Sequence, residues 1–206
     1  MAQALEIELS VNALTPNQPS LLRLIERAVD GDTVAFEQIM IESQQRVMTM
    51  TWRMLGNEAD ARDACQEVFL RVFKYLGRFR QDQDFFAWLY TISVNVCRDI
   101  SKKRRHRNDR IATDDDVAYA LPSREANAEE LMVASQQRDL IAQAISTLSQ
   151  KERATIVLRD IEGLSTEEVA RILNSSQTTV RSQISTARKK IKAYCENYLR
   201  RKERAR

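Results

Sequence analysis

The sequence is poor in the residues that sheets, metal sites and active sites use. It has 4 Gly and 3 Pro among 206 residues, and sheet-rich folds place these residues in their many turns, so an all-helical protein is favoured. The chain has 1 His, no glycine-rich phosphate loop and no nucleophile–base arrangement, which argues against an enzyme. Its three cysteines stand far apart, so we expect no disulfide framework, metal or cofactor, and a reducing compartment.

Long apolar runs are also missing. No stretch approaches the ~18 residues that a membrane span needs. The N-terminus, MAQALEIELSVNAL, lacks the basic start and the apolar core of a secretory signal. These absences predict a cytoplasmic protein without membrane insertion.

Charge is unevenly distributed although the formal net charge is only +3. Between Arg98 and Arg110 there are seven basic and two acidic residues, and from Arg181 to Arg206 there are ten basic and two acidic residues. Between these blocks, residues 111–130 hold six acidic residues and one arginine. Two cationic patches separated by an acidic segment indicate two sites that contact a polyanion.

Helix caps divide the chain. Asp32 and Gly56 bound one predicted helix, Asn57 and Gly77 the next, and Ser20 begins a shorter one before them. Capping boxes at Ser149 with Glu152 and at Ser165 with Glu168 begin two further helices. We therefore predict an all-α fold of two small helical domains joined by a flexible linker. The predicted ranges are a flexible segment 1–19, a first domain 20–107, a linker 108–126 and a second domain 127–206.

The segment LSTEEVARILNSSQTTVRSQISTARKKI has the layout of a helix-turn-helix. In its second helix an apolar stripe lies opposite a small, polar and basic face that is suited to a DNA major groove. The stripe comprises Val180, Ile184, Ala187 and Ile191. The candidate DNA-binding residues are Thr178, Thr179, Arg181, Ser182, Ser185, Arg188 and Lys189.

Two other helices carry unusual patterns. In DARDACQEVFLRVFKYL an apolar stripe is predicted to face the core, and Leu70 stands apart among polar residues, as in a small interface with a polar rim. The stripe comprises Ala61, Ala64, Cys65, Val68, Phe69, Val72 and Leu76.

The helix FFAWLYTISVNVCRDISKKRRHR is aromatic at its start and cationic at its end. This pattern is typical of a site for single-stranded DNA, in which aromatic rings stack on the bases and basic side chains bind the phosphate backbone. Phe86 and Tyr90 are expected in the core, so DNA contact is assigned chiefly to the preceding loop, to Asn95 and to the basic block Lys102, Lys103, Arg104 and Arg105.

These segments together resemble a known family. DARDACQEVFLRVFK followed by FRQDQDFFAWLYTISVN resembles the sigma-two domain of extracytoplasmic-function sigma factors. The segment from Leu148 to Ile191 resembles their sigma-four domain, and the likeness covers roughly residues 20–200. It implies a dissociable subunit that brings core RNA polymerase to promoters and opens the DNA. A sequestering anti-sigma factor is a further expected partner.

The resemblance also assigns residues. Asp60, Asp63, Gln66, Glu67 and Leu70 match the helix that contacts the polymerase clamp. The loop from Phe79 to Phe86, with Arg80 and Phe85, matches the part that captures a flipped base of the minus-ten element, and Asn95 matches a further contact to it. Arg181 and Ser182 match minus-thirty-five contacts, whereas Gln183 and Thr186 stand where the family commonly has arginine.

Two alternatives remain from the residues alone. A stand-alone helix-turn-helix regulator would bind duplex DNA without polymerase, but it leaves Leu70 and the aromatic–basic helix without a role. A pure interaction module would treat the basic blocks as solvated tails.

The division into domains leads to a prediction. Because residues 108–126 combine acidic charge and Pro122 between two well-capped blocks, we expect limited proteolysis to cut there first and to release two folded fragments. Mass spectrometry of the early fragments checks this. First cuts inside either block would contradict the division.

Overall fold

The computed structural model describes residues 18–108 and 139–204, with side chains for 20–105 and 139–204. All regular structure in these ranges is helical, so the all-α prediction is confirmed. The first group of helices is α1 (Gln18–Val29), α2 (Thr33–Leu55), α3 (Glu58–Tyr75), a 3-10 turn (Leu76–Arg78) and α4 (Phe85–Asn108). The second group is α5 (139–146), α6 (Gln150–Ile156) with a π-helical turn after it (Val157–Ile161), α7 (Thr166–Leu173) and α8 (Gln177–Arg204).

Most helix boundaries follow the caps that the sequence contains. The Asp32 carboxylate accepts hydrogen bonds from the backbone N–H groups of Val34 and Ala35, and α2 ends at Gly56 with a φ of 78°. Both predicted capping boxes, at Ser149 and at Ser165, are formed. Each satisfies backbone donors that the first turn of a helix would otherwise leave unpaired.

Two helix boundaries differ from the prediction, and one helix continues as a π turn. Helix α1 begins at Gln18, two residues before Ser20. Gly77 does not end α3 as a left-handed residue, because the chain passes through a 3-10 turn in which Gly77 lacks a positive φ. After α6 the helix widens into the π turn, where the N–H of Glu162 donates to the carbonyl of Val157.

The core of the first group is built around α3 and α4. Every member of the predicted α3 stripe is buried, and on α4 the buried face includes Leu89, Tyr90, Val94 and Cys97. Helix α3 packs on α2 and α4, whereas α8 packs on α6 and α7. The three cysteines are free, and Cys65 and Cys97 are buried.

Several predictions fall wholly or largely outside the described residues. The N-terminal segment 1–19 is described only for its last two residues, and the linker 108–126 only for Asn108. The domain limits therefore stay predictions. None of the helices in the described ranges is long and apolar enough to cross a membrane.

Candidate nucleic-acid and protein interfaces

The outer face of α3 carries an apolar centre among polar groups. Leu70 is 59% exposed, and Asp63 and Gln66 beside it are exposed as well. Phe73, one turn further along the same face, is 61% exposed. Exposed large apolar side chains are unremarkable singly, but here two of them lie one turn apart with polar side chains around them. We call Asp63, Gln66, Glu67, Leu70 and Phe73 the α3 surface.

Phe73 is the member that sequence reasoning missed. Its ring meets the ring of Phe36 edge to face, with centroids 5.0 Å apart, so one side of it rests on α2 and the other faces solvent. The available signal was its spacing, because residues three apart on a helix share a face and Phe73 follows Leu70 by three.

Arg71 connects the α3 surface to α4. Its Nε donates to Glu67 Oε1 at 2.7 Å, and its Nη1 donates to Asp99 Oδ2 at 3.1 Å. The hydrogen bond to Glu67, helped by that to Asp99, raises the pKa of Arg71. This bridge lies on the outer side of the two helices, whose packing against each other is provided by their buried faces.

Asp60 is placed differently from the other predicted polymerase contacts. Asn57 caps α3 by accepting from the Asp60 N–H at 2.7 Å, and its amide donates to the Asp60 carboxylate at 2.6 Å. Arg104 Nη1 lies 3.5 Å from the same carboxylate, which is only 21% exposed. Asp60 therefore lies at the start of α3 beside the basic end of α4.

The loop before α4 presents an aromatic cluster. Phe79 is half-buried, and its ring centroid lies 5.6 Å from that of Phe85 and 5.4 Å from that of Trp88. Phe85 is itself only 3% exposed, so its ring packs against Phe79 from the core side and does not face solvent. Arg80 is exposed and its guanidinium donates to Asp82, which raises the pKa of Arg80.

Helix α4 continues this cluster as a polar and then cationic stripe. Trp88, Thr91, Asn95, Arg98 and Lys102 follow one another at helical spacing, and Asn95 and Lys102 are exposed. Phe86 and Tyr90 lie on the buried side, as predicted. Lys103 and Arg105 are exposed and Arg104 is half-buried, so three of the four basic-block residues, Lys102, Lys103 and Arg105, are exposed without an ion pair among the described residues. Arg105 instead donates a hydrogen bond to Gln150.

The helix-turn-helix is formed by α7 and α8. The turn passes through Asn174, which takes a left-handed φ of 50°, and Ser176 accepts from the Thr179 N–H to cap α8. Val180, Ile184 and Ala187 are buried. All of the predicted DNA-binding positions on α8 are exposed: Thr178, Thr179, Arg181, Ser182, Ser185, Arg188 and Lys189.

Two α8 side chains form hydrogen bonds with residues outside α8. The Arg188 guanidinium forms a two-pronged contact with Asp160, with donor–acceptor distances of 2.8 and 2.7 Å, and this contact raises the pKa of Arg188. Gln183 accepts from the Thr155 hydroxyl at 2.7 Å, so its side chain faces α6. Arg181 is more available, since it donates a 3.2 Å hydrogen bond to Gln177 on its own helix.

Comparison with known proteins follows the same division of the chain. Residues 40–107 match the family model described as Sigma-70 region 2, and residues 138–191 match that described as Sigma-70, region 4. The chain is 32% identical to the ECF RNA polymerase sigma-E factor of Escherichia coli K12, over 86% of this chain and 95% of the relative. It is 30% identical to the RNA polymerase sigma-H factor of Pseudomonas aeruginosa, again over 86% and 95%.

The chain belongs to the extracytoplasmic-function family of RNA polymerase sigma factors.

Solved structures agree with this membership. The chain resembles CnrH, solved in complex with the cytosolic domain of CnrY, with 27% identity, a TM-score of 0.59, and coverage of 84% of this chain and 96% of that one. It also shares the fold of the sigma factor RpoE of Bartonella quintana, with 20% identity, a TM-score of 0.67, and coverage of 78% and 96%. In the present chain, the match to region 2 includes the α3 surface and α4, and the match to region 4 includes the helix-turn-helix.

Truncation of a side chain should cost much more stability on the buried face of α3 than on its outer face. Phe69→Ala removes a ring that is 6% exposed, and we expect it to lower the free energy of unfolding by about 3–5 kcal/mol. Leu70→Ala, at the next position, should change it by less than about 0.5 kcal/mol because Leu70 already faces water. Urea unfolding followed by circular dichroism measures both, and an equal loss in the two variants would show that Leu70 belongs to the core.

Proposed function

We propose that this sigma factor divides transcription initiation among three of its surfaces. The α3 surface binds core RNA polymerase, the polar face of α8 binds the duplex minus-thirty-five element, and the loop 79–84 with α4 binds the opened minus-ten element. The observation that carries the proposal is the exposure of Leu70 and Asn95 on two helices that Arg71 joins. The proposed polymerase-binding and minus-ten surfaces therefore lie on two helices that pack against each other.

The α3 surface has the chemistry of a protein interface. A binding site derives most of its free energy from a few apolar or aromatic side chains that lose their water, while polar neighbours exclude solvent around them. Leu70 and Phe73 form such a centre, and Asp63, Gln66 and Glu67 form the rim. Asp60 contributes at the edge, where it also pairs with Arg104.

The α8 face has the chemistry of major-groove binding. Arg181 can donate two hydrogen bonds to a guanine, and the hydroxyls of Ser182 and Ser185 can contact a base or a phosphate. Thr178, Thr179 and Lys189 lie around them and suit phosphate contact. Arg188 is held by Asp160, so we assign it to positioning α8 unless DNA displaces that carboxylate.

The minus-ten surface must compensate for unstacking a base. Extruding a base costs a few kcal/mol, and stacking on an aromatic ring returns about 1–3 kcal/mol per base. Phe79 supplies a half-buried ring of the cluster that packs on Phe85, while Asn95 offers an amide to the edge of the extruded base. Arg80, Lys102 and Lys103 follow the backbone, and Arg104 and Arg105 extend that track.

The remaining parts of the proposal concern setting and partners. A subunit of RNA polymerase acts in the cytoplasm and binds rather than catalyses, so we assign the chain no reaction of its own. The relative CnrH is solved with the cytosolic domain of CnrY, and this supports an anti-sigma partner for the present chain as well.

A stand-alone regulator is the rival function, and it predicts promoter-specific DNA binding without any dependence on polymerase.

Association with polymerase should depend on the α3 surface. We expect Glu67→Lys with Leu70→Asp to abolish co-elution with core polymerase, because the pair reverses one rim charge and puts a carboxylate in the apolar centre. The matched control is Glu37→Lys with Ile41→Asp, which makes the same changes at exposed positions of α2, where Ile41 is 61% exposed. Circular dichroism confirms folding of both. Normal co-elution of the folded α3 variant would contradict the assignment.

The two DNA surfaces should fail in different ways. Arg181→Ala should weaken binding to minus-thirty-five duplex by about 1–3 kcal/mol, and opening the minus-ten region in advance should not restore it. Asn95→Ala should leave duplex binding nearly unchanged but impair run-off transcription from a closed promoter. A template mismatched across the minus-ten element should recover part of that activity, since its bases are already unpaired.

The measurements are run-off transcription on matched and mismatched templates and duplex titrations at one salt concentration. Arg23→Ala on α1 is the control for loss of one exposed positive charge. Equal rescue of Arg181→Ala and Asn95→Ala by the mismatched template would contradict the division. Transcription that does not require the chain and core polymerase together would contradict the proposed function itself.

A further inference from the structure

Three consecutive cations of α8 differ in their electrostatic surroundings. Arg188 donates from Nε and Nη2 to the Asp160 carboxylate of the π turn, at 2.8 and 2.7 Å. Lys190 Nζ donates to the Glu152 carboxylate of α6, at 2.8 and 2.9 Å. Lys189, between them, is exposed and has no ion pair among the described residues. The fold therefore neutralises two of the three cations and leaves the middle one available.

Arg188 lies on the side of α8 that is proposed to face DNA. It follows Arg181 by seven residues, which is almost two full turns, so the two arginines share one side of the helix. At 1.5 Å per residue, Arg188 lies about 10.5 Å further along the axis. The first residues of a recognition helix contact base edges in a major groove about 12 Å wide, so a side chain this far along comes close to the phosphates at the edge of the groove. The Arg188 side chain is 61% exposed and can be reached from that side.

Asp160 binds this guanidinium as a phosphate would. Two parallel N–H···O bonds are the geometry in which arginine binds both carboxylate and phosphate. The Asp160 side chain is only 15% exposed and belongs to the segment on which α8 packs, so it is present at Arg188 whether or not DNA is near. A phosphate can bind Arg188 only by displacing this carboxylate, which would then lie partly buried without its cation.

The backbone around Asp160 is unusual as well. It lies within the π turn Val157–Ile161, where the Glu162 N–H donates to the Val157 carbonyl at 2.9 Å. Such turns are rare and occur frequently at functional sites. Because a π turn holds one residue more than an α-helical turn, it changes the angle at which the Asp160 side chain leaves the helix.

Exchange of a carboxylate for a phosphate contributes little to DNA binding. A free cation that neutralises a phosphate releases a condensed counterion, and this release makes binding both favourable and dependent on salt. When the arginine comes from a carboxylate, that carboxylate takes up a cation from solution in return. Arg188 should therefore add less to DNA affinity than Lys189, which has no ion pair to lose.

We propose that Asp160 is an internal competitor for DNA phosphate at Arg188, and that it lowers the sequence-independent affinity of the α8 face. The inference rests on the proposed function, since it concerns the face that is proposed to bind the minus-thirty-five duplex. With Arg188 withheld, binding depends more on the side chains that can read base edges. Arg181 is the foremost of these, because its hydrogen bond to Gln177 stays within α8.

The test is a double-mutant cycle in the full-length chain, comprising the wild type, Asp160→Asn, Arg188→Gln and the double variant. Lys189→Gln provides the comparison with an unpaired cation at the next position. Glu58→Gln is the matched control for loss of a carboxylate, because it frees Arg62 from an exposed ion pair on α3. Circular dichroism and thermal unfolding report folding of every variant.

Fluorescence anisotropy measures binding to two duplexes at 50 and 200 mM salt. One carries the minus-thirty-five element of a promoter mapped by sequencing transcript starts, and the other carries a shuffled sequence of the same length. We expect Asp160→Asn to bind both duplexes at least about threefold more tightly than the wild type at 50 mM salt, since a phosphate contact carries no sequence information. The gain should largely disappear at 200 mM, because one more phosphate contact steepens the slope of log K against log salt by about 0.9. Glu58→Gln should show no gain.

The cycle decides whether the gain belongs to Arg188. Asp160→Asn should raise affinity when Arg188 is present and much less in the Arg188→Gln background. Equal gains in the two backgrounds overturn the proposal, because Asp160 would then act only by repelling DNA. Absence of any gain in folded Asp160→Asn overturns it too, as does a gain restricted to the minus-thirty-five duplex, since Arg188 would then read a base.

Should Asp160→Asn not fold, the salt slopes of the two cation variants carry the comparison. Arg188→Gln should flatten the slope by less than Lys189→Gln does, and equal flattening overturns the proposal. A wild type that binds the minus-thirty-five duplex no better than the shuffled one would contradict the proposed function. The cycle on the shuffled duplex would still decide the role of Asp160.

Discussion

The burial of one face of α4 is the constraint on which the rest of the structure depends. Leu89, Val94 and Cys97 lie in the core, so the rotation of the helix about its axis is set by apolar packing. The same rotation places Asn95 and Lys102 in solvent on the opposite side. The contrast between the aromatic start and the cationic end of α4 follows from this packing. The rings at its start pack in the core and against Phe79, whereas its basic end extends beyond the core.

Helix α3 extends this arrangement to a second surface. Its buried stripe packs beside α4, so the same core determines which side of α3 faces outward, and Arg71 adds hydrogen bonds to Glu67 and Asp99. The α8 surface is instead placed by the packing of α8 on α6 and α7.

Local features were predictable from the sequence, and long-range pairing was not. The caps at Asp32, Ser149 and Ser165 formed as expected because a cap needs only residues within one turn. Leu70 and the α8 face were predictable because helical spacing fixes which side chains share a side. The contact of Tyr90 with Glu162 joins residues 72 positions apart, and no spacing rule indicates it. The burial of Phe85 depends on how neighbouring helices cross, which periodicity alone does not determine.

The central claim is that Phe79 and Asn95 act on a base that has left the stack, and 2-aminopurine fluorescence tests it most directly. The probe replaces a base of the minus-ten element in a closed duplex promoter, and its emission rises when it unstacks. The account predicts a rise on adding the chain with core polymerase, a much smaller rise for Phe79→Ala and for Asn95→Ala, and a normal rise for Ile41→Ala. A rise of equal size in Phe79→Ala, Asn95→Ala and the wild type would contradict the account.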